Sequence, residues 1–201
     1  MRAAYYEKNG IASDVLTIGE IETPPPGAGE VRVKIATSGV NPSDVKSRAG
    51  LTRRIAFPRV IPHSDGAGTI DMVGDGVPRS RIGQRVWTWN AQWKRPFGTC
   101  AEHVVLPAVM AVPLPDHVGF AEGACLGIPA MTAAHAIAAA EAWAGSTLLI
   151  AGGAGGFWFL LPRNSQEHPF VENTGVGSTV AIAIISSLSI GVALLFNGFA
   201  D

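Results

Sequence analysis

The run Glu30-Val31-Arg32-Val33-Lys34-Ile35-Ala36 alternates polar and apolar residues with period two, the pattern of a strand with one face in a core and the other in water. Shorter stretches repeat it. Residues 2–6 predict a first strand and Val15-Leu16-Thr17-Ile18 a second, and Pro24-Pro25-Pro26-Gly27 then forces a rigid turn. Alternation returns after Gly68, from Gly83 to Trp89, from Gly98 to Val105 and from Val109 to Pro115. Strands at this spacing, divided by turn residues such as Gly74-Asp75-Gly76, predict a small all-β barrel or sandwich. One short helix interrupts the series: Asn41 is placed to cap it, with Pro42 at its first position.

After Asp116 the period changes. Phe120 to Cys125 predicts a short helix, and Pro129 opens a longer, alanine-rich one running to Trp143 and stopped by Gly145. Leu148-Leu149-Ile150-Ala151 then reads as a parallel strand covered on both faces. It enters Gly152-Gly153-Ala154-Gly155-Gly156, a turn whose backbone N–H groups can approach a pyrophosphate. Residues 157–174 read as a polar linker. From Gly175 to Ala200 there is no charged residue, and 176–196 is long enough to cross a bilayer as a helix, which needs roughly 20 residues. Its glycines and serines dilute the apolar character, and a buried helix is the other reading.

Composition narrows the function classes. Of 201 residues 47% are hydrophobic and 15% charged, which excludes global disorder. A net charge of −1 gives no bulk attraction to nucleic acid or an acidic membrane. Two cysteines, Cys100 and Cys125, make neither a disulfide framework nor a four-thiolate zinc site, and they fit a reducing, cytoplasmic setting. No apolar leader follows Met1.

Several segments, taken in order, resemble the zinc-independent quinone oxidoreductases, the zeta-crystallin-like branch of the medium-chain dehydrogenase/reductase superfamily. They are Gly39 to Asp44, His63 to Gly68, Val73 to Val77 with Gly83 to Val86, Gly98 to His103, and above all Ala124-Cys125-Leu126-Gly127-Ile128-Pro129-Ala130-Met131-Thr132-Ala133-Ala134. The resemblance covers residues 1–156. It implies a mostly β, GroES-like barrel over 1–125, then a linking helix and the first strand and glycine loop of an α/β Rossmann domain over 126–156. It further implies NADPH as cofactor, hydride transfer to a quinone or α,β-unsaturated carbonyl held between the two domains, and a homodimer as an available assembly. Asn41 and Ser64 stand where zinc-dependent relatives place a Cys and a His ligand. An amide and a hydroxyl bind Zn²⁺ poorly, so no metal is expected.

Candidate residues each carry two readings. Asn41 orients nicotinamide or substrate, or simply caps its helix. Asp44 fixes the geometry of the cleft, or answers the helix dipole as an exposed acid. Thr132 matches a cofactor-contacting position, or is an ordinary helix hydroxyl. Gly152, Gly153, Gly155 and Gly156 form the cofactor loop. Asp65 pairs with a nearby base or is structural, and His63 is a satisfied or solvent-facing histidine. Trp87, Trp89 and Trp93 fill a core or a cleft wall, while Cys100 and Cys125 pack in apolar surroundings. Lys46 and Thr52 replace aromatic residues common in the family, so a stacking wall for a flat quinone is missing from that helix.

The resemblance stops at the glycine loop. Trp158 occupies the place of its last glycine, and Pro162 falls in the second turn of the expected crossover helix, costing about 3 kcal/mol. The expectation is therefore an incomplete cofactor domain with no further parallel strand, a non-family apolar tail over 175–201 in helical form, and little activity from this chain alone. The rival expectations are a non-enzymatic module tethered to a membrane by the tail, and a fragment pairing with a full-length homologue.

Overall fold

The computed structural model describes residues 1–139, 147–151, 180–186 and 189–193. They fall in two compact units, Met1–Ile128 and Pro129–Asp201.

The first unit is built on a five-stranded antiparallel sheet in the order β6-β3-β4-β5-β7. The strands are β3 (Glu30–Gly39), β4 (Asp65–Val73), β5 (Arg85–Thr88), β6 (His103–Pro107) and β7 (Ala111–Pro113). The alternation noted at Glu30–Ala36 drives the packing: Val31 and Val33 are fully buried with Ile70, Val86, Val104 and Leu106, while Arg32 turns to the other face. Two register shifts along the β3–β4 pair, at Arg32/Val33 and Ile35/Thr37, bend the strands around this core. A smaller antiparallel pair joins β1 (Arg2–Tyr5) to β2 (Thr17–Glu20). The second strand starts later than its sequence suggests, because Ala12–Val15 winds into a helical turn, α1, that buries Val15.

Helix α2 (Pro42–Ala49) has Asn41 as N-cap and Pro42 in its first turn. It ends at Gly50, whose φ of 81° closes the helix in the left-handed conformation. Helix α3 (Phe120–Gly123) is followed by a widened turn over Leu126–Ala130 containing Pro129.

In the second unit α4 covers Met131–Ala139, and residues 140–146 of the expected helix lie outside the described residues. Strand β8 (Thr147–Ala151) runs parallel to β9 (Val180–Ser186), which pairs antiparallel with β10 (Ser189–Ala193). Two expectations are corrected here. The strand before the glycine loop has a parallel neighbour, and the apolar tail forms strands rather than a helix where it is described. The tail carries β-branched Val180, Ile182, Ile184, Ile185, Ile190 and Val192, which are stiff at χ1 and suit a pleated ribbon. Among the described residues no helix is long and apolar enough to cross a membrane. Gly152, Gly153, Gly155 and Gly156 lie outside the described residues, as does the linker 157–174.

Candidate functional site

Three sequence-predicted residues of the first unit meet in one buried knot. The extended Asn41 ends the β3–α2 connection, Asp44 sits one turn into α2, and Asp65 opens β4. Asn41 is 5% exposed and Asp65 0%. The Asn41 amide Nδ2 donates to Asp65 Oδ2 at 2.8 Å, and the backbone N–H of Ile128 donates to the same oxygen at 2.8 Å. Asp44 Oδ2 accepts the backbone N–H of Asn41 at 2.8 Å, the reach-back half of a capping box. Gly127 explains the close approach of the 126–130 turn, since a Cβ at that position would meet Oδ1 and Cγ of Asp65.

The electrostatics follow from burial. Asp44 was expected to be exposed. It is buried instead, with its carboxylate folded back on the Asn41 N–H. Desolvation pushes its pKa up to about 6, against the pull of its hydrogen bonds to Asn41. Burial raises Asp65 too, opposed by the bonds from Asn41 and Ile128. Of the two readings of Asp65, a base partner or a structural role, the geometry fits the structural one: its side chain meets an amide and a peptide N–H, both neutral. Oδ1 has no partner among the described residues, so in the neutral acid Oδ1 carries the proton while Oδ2 accepts both bonds.

A chain of hydroxyls leads from the same strand end to His63. Thr99 Oγ1 donates to the Asp65 carbonyl, which uses its one proton. Ser38 Oγ lies 2.9 Å from Thr99 Oγ1, so Ser38 must donate there and accept from His63 Nδ1, also 2.9 Å away. The neutral imidazole is thereby fixed as the Nδ1–H tautomer, leaving Nε2 as the acceptor. Burial lowers the His63 pKa, which keeps that form dominant at neutral pH. His63 holds a φ of 75°, a conformation uncommon for a residue with a Cβ. Ser38 and Thr99 carry no individual signal in the sequence, and their partners are 25 and 61 positions from Ser38. Among the described residues no three of His, Cys, Asp or Glu converge as a metal cluster.

The remaining candidates lie elsewhere. Thr132 is half-buried on α4 in the second unit. Trp87 packs beside Ala67 and Leu114, whereas Trp93 lies beyond the end of β5 with 55% of its surface in solvent and does not share the face of Trp87. Cys100 is partly buried, which pushes its thiol up. Cys125 is exposed rather than packed in apolar surroundings, at the end of α3 with Sγ against the Ala121 carbonyl.

Residues 27–116 match the family model described as the alcohol dehydrogenase GroES-like domain. A quinone oxidoreductase from Rattus norvegicus is 37% identical over 151 residues, 74% of this chain and 44% of the relative. A mycobacterial protein solved in complex with NADPH superposes with a TM-score of 0.68 at 28% identity, covering 78% of this chain and 47% of that one. An alcohol dehydrogenase superfamily protein from Novosphingobium aromaticivorans gives a TM-score of 0.71 at 26% identity, over 93% and 54%. The chain thus spans less than half the length of the rat relative it matches. Residues 27–116 are thus similar to the alcohol dehydrogenase GroES-like domain, and over that domain and the segment after it the chain resembles the quinone oxidoreductases of the medium-chain dehydrogenase/reductase superfamily.

Proposed function

We propose that this chain carries the acceptor-binding part of an NADPH-dependent reductase that passes a hydride, without zinc, to a quinone or an α,β-unsaturated carbonyl. The observation that carries the reading is the buried Asn41–Asp65–Ile128 knot. By the resemblance, it lies where zinc-dependent relatives place their ligands, and Asn41 there is a hydrogen-bond donor committed to Asp65, with the Ser64 hydroxyl next in sequence. NADPH, when bound, supplies the hydride. The chain's own part is to hold and polarise the acceptor: donors aimed at a developing oxyanion do without a metal what a Lewis acid does elsewhere. Asn41 is the orienting residue in this reading, and Asp44 fixes the backbone from which it projects.

The domain boundaries belong to the same proposal: a GroES-like domain over 1–125, and over 126–156 the start of the cofactor-binding part, with Thr132, Gly152, Gly153, Gly155 and Gly156 toward NADPH. Its support is the parallel β8–β9 pair, which gives the strand entering the glycine loop a neighbour of the kind a dinucleotide fold requires. Affinity is expected to be weak, because Trp158 and Pro162 stand where a glycine and a helix residue are needed. The free thiols fit a reducing compartment, and the cytoplasm is the location we assign.

Titration calorimetry with NADPH, followed by assay of quinone-dependent NADPH oxidation, tests the proposal. Saturable binding weakened by Gly153→Val, with turnover lowered in Asn41→Ala, supports it. Absence of both saturable binding and turnover overturns it in favour of a non-enzymatic module.

A further inference from the structure

Three arginines among the described residues stack on aromatic rings, and two of them have their charge answered. Arg59 lies 4.4 Å from the Tyr5 ring centroid and ties its fork to Glu7. Arg85 lies 4.6 Å from that of Phe120, donates to the carbonyls of Pro115 and Val118, and pairs with Asp116. Arg53 is different. It lies 5.6 Å from the Trp93 centroid and makes no salt bridge among the described residues, its charge reaching the Asp44 carboxyl only at longer range; its hydrogen bond, 2.6 Å long, goes to the neutral Oε1 of Gln92.

The corner that presents this pair is built rather than loose. Gln92 is buried and uses its Nε2 to hold the Arg95 carbonyl, so its oxygen is fixed where it clamps Arg53. Trp93 stands between Asn90 and Lys94, which hold φ values of 52° and 56°. Such conformations cost free energy in residues with a Cβ and persist where the surroundings impose them. The turn is tied to the knot through Ala91 N–H on the Ser64 carbonyl at 3.0 Å. Lys94 adds a second cation 5.9 Å from the indole centroid. The Arg53 charge also acts on the Asp44 carboxyl, so the corner and the knot are neighbours.

A guanidinium stacked on an indole keeps its N–H edges free for a planar or tetrahedral anion. Trp93 keeps 55% of its surface in solvent beside Arg53 and Lys94, and the open part of the indole can take an aromatic ring. We infer that Trp93, Arg53 and Lys94 form a subsite for a planar aromatic acceptor bearing an anionic substituent. The ring lies against Trp93, and the anion is met by Arg53, which Gln92 positions. The inference rests on the proposed reductase reading for its biological sense, and it supplies from a different segment the aromatic wall absent at Lys46 and Thr52.

The test needs no cofactor, so its failure is distinct from failure of the reductase reading. The full chain is titrated, without NADPH, against anthraquinone-2-sulfonate and its uncharged sulfonamide at low and moderate salt. The sulfonate is expected to bind about tenfold tighter or more, with the advantage shrinking as salt rises. Arg53→Gln removes the advantage, Trp93→Leu weakens both ligands, and Arg59→Gln, at the satisfied pair, changes neither. Circular dichroism confirms that each variant is folded, and a misfolded Arg53→Gln is replaced by Arg53→Lys, which keeps charge but loses the fork. Equal affinity for the two probes, binding of neither, or an unchanged preference in the folded Arg53 variant overturns the subsite.

Discussion

Strand β4 carries two aspartates, Asp65 at its start and Asp71 near its end, and the fold treats them oppositely. Asp65 is sealed from water and meets neutral donors, the Asn41 amide and the Ile128 N–H. The side chain of Asp71 is 28% exposed and receives the Arg32 guanidinium in a fork of 2.9 to 3.2 Å, with His103 Nε2 at 3.3 Å. A carboxylate with a cation and some water keeps its charge at little cost. One given dipoles alone is driven toward the neutral acid. Burial therefore raises the pKa of the carboxyl in the knot, while at the other end of β4 a guanidinium faces the carboxylate.

Removing each acid separates the two most sharply. Asp65→Ala leaves two buried donors without an acceptor and opens a small cavity, with an expected loss of about 3–5 kcal/mol in urea unfolding. Asp65→Asn keeps an oxygen acceptor and is expected to lose less than about 1 kcal/mol. Equal losses for the two variants would show that the charge, not the acceptor, holds the knot.

The next effect is one of pH. The folded Asp44 has a pKa of about 6, above the ordinary aspartate value of 3.8. The fold thus binds the proton more tightly than the unfolded chain. That contribution is fully present below the unfolded value and is lost as pH rises through the folded one. Stability is expected to fall between about pH 4 and pH 6 by on the order of 2–3 kcal/mol, with Asp65 shifted in the same direction. Asp44→Asn should flatten most of that slope in denaturation curves at several pH values. A slope that persists would assign it to another group.

Gly127→Ala comes next. Its Cβ would press on the Asp65 carboxyl, which is sealed and cannot retreat, and about 2 kcal/mol is expected, as for overpacking in a core. Last, Asp71→Ala is expected to lose about 1–2 kcal/mol, less than Asp65→Ala and falling with salt, because the pair it breaks is only partly buried, with side chains 17% and 28% exposed. A loss as large as that of Asp65→Ala would erase the contrast between the two ends of β4.

How far the sequence could be read follows the range of the interactions. Val31 and Val33 were legible because a period of two is written within a few residues. So was the start of α2, where Asn41-Pro42 supplies cap and first turn together. The burial of Asp44 was not legible: an acid in a first helical turn looks the same whether or not a distant segment covers it. The partner of Asp65 lies 63 positions away at Ile128, and no local pattern announces that pairing. At 180–193 the length of the apolar run suggested a helix, and the χ1 stiffness of its Val and Ile side chains, which favours strands, outweighed length where the tail is described. Trp93 was misassigned because alternation was extended past Thr88, where β5 ends.

The left-handed backbone at His63 sets two kinds of selection against each other. A glycine there would sit without strain, a relief on the order of 1 kcal/mol that glycine's greater freedom in the unfolded chain offsets in part. It would also delete the imidazole that ends the Thr99–Ser38 relay and leave the Ser38 hydroxyl free to rotate. Directed evolution for stability alone weighs the relieved strain against the lost imidazole contacts, while evolution under a demand for function at this site weighs the side chain itself. A library sampled under both regimes would read the worth of that side chain from frequencies rather than from structure.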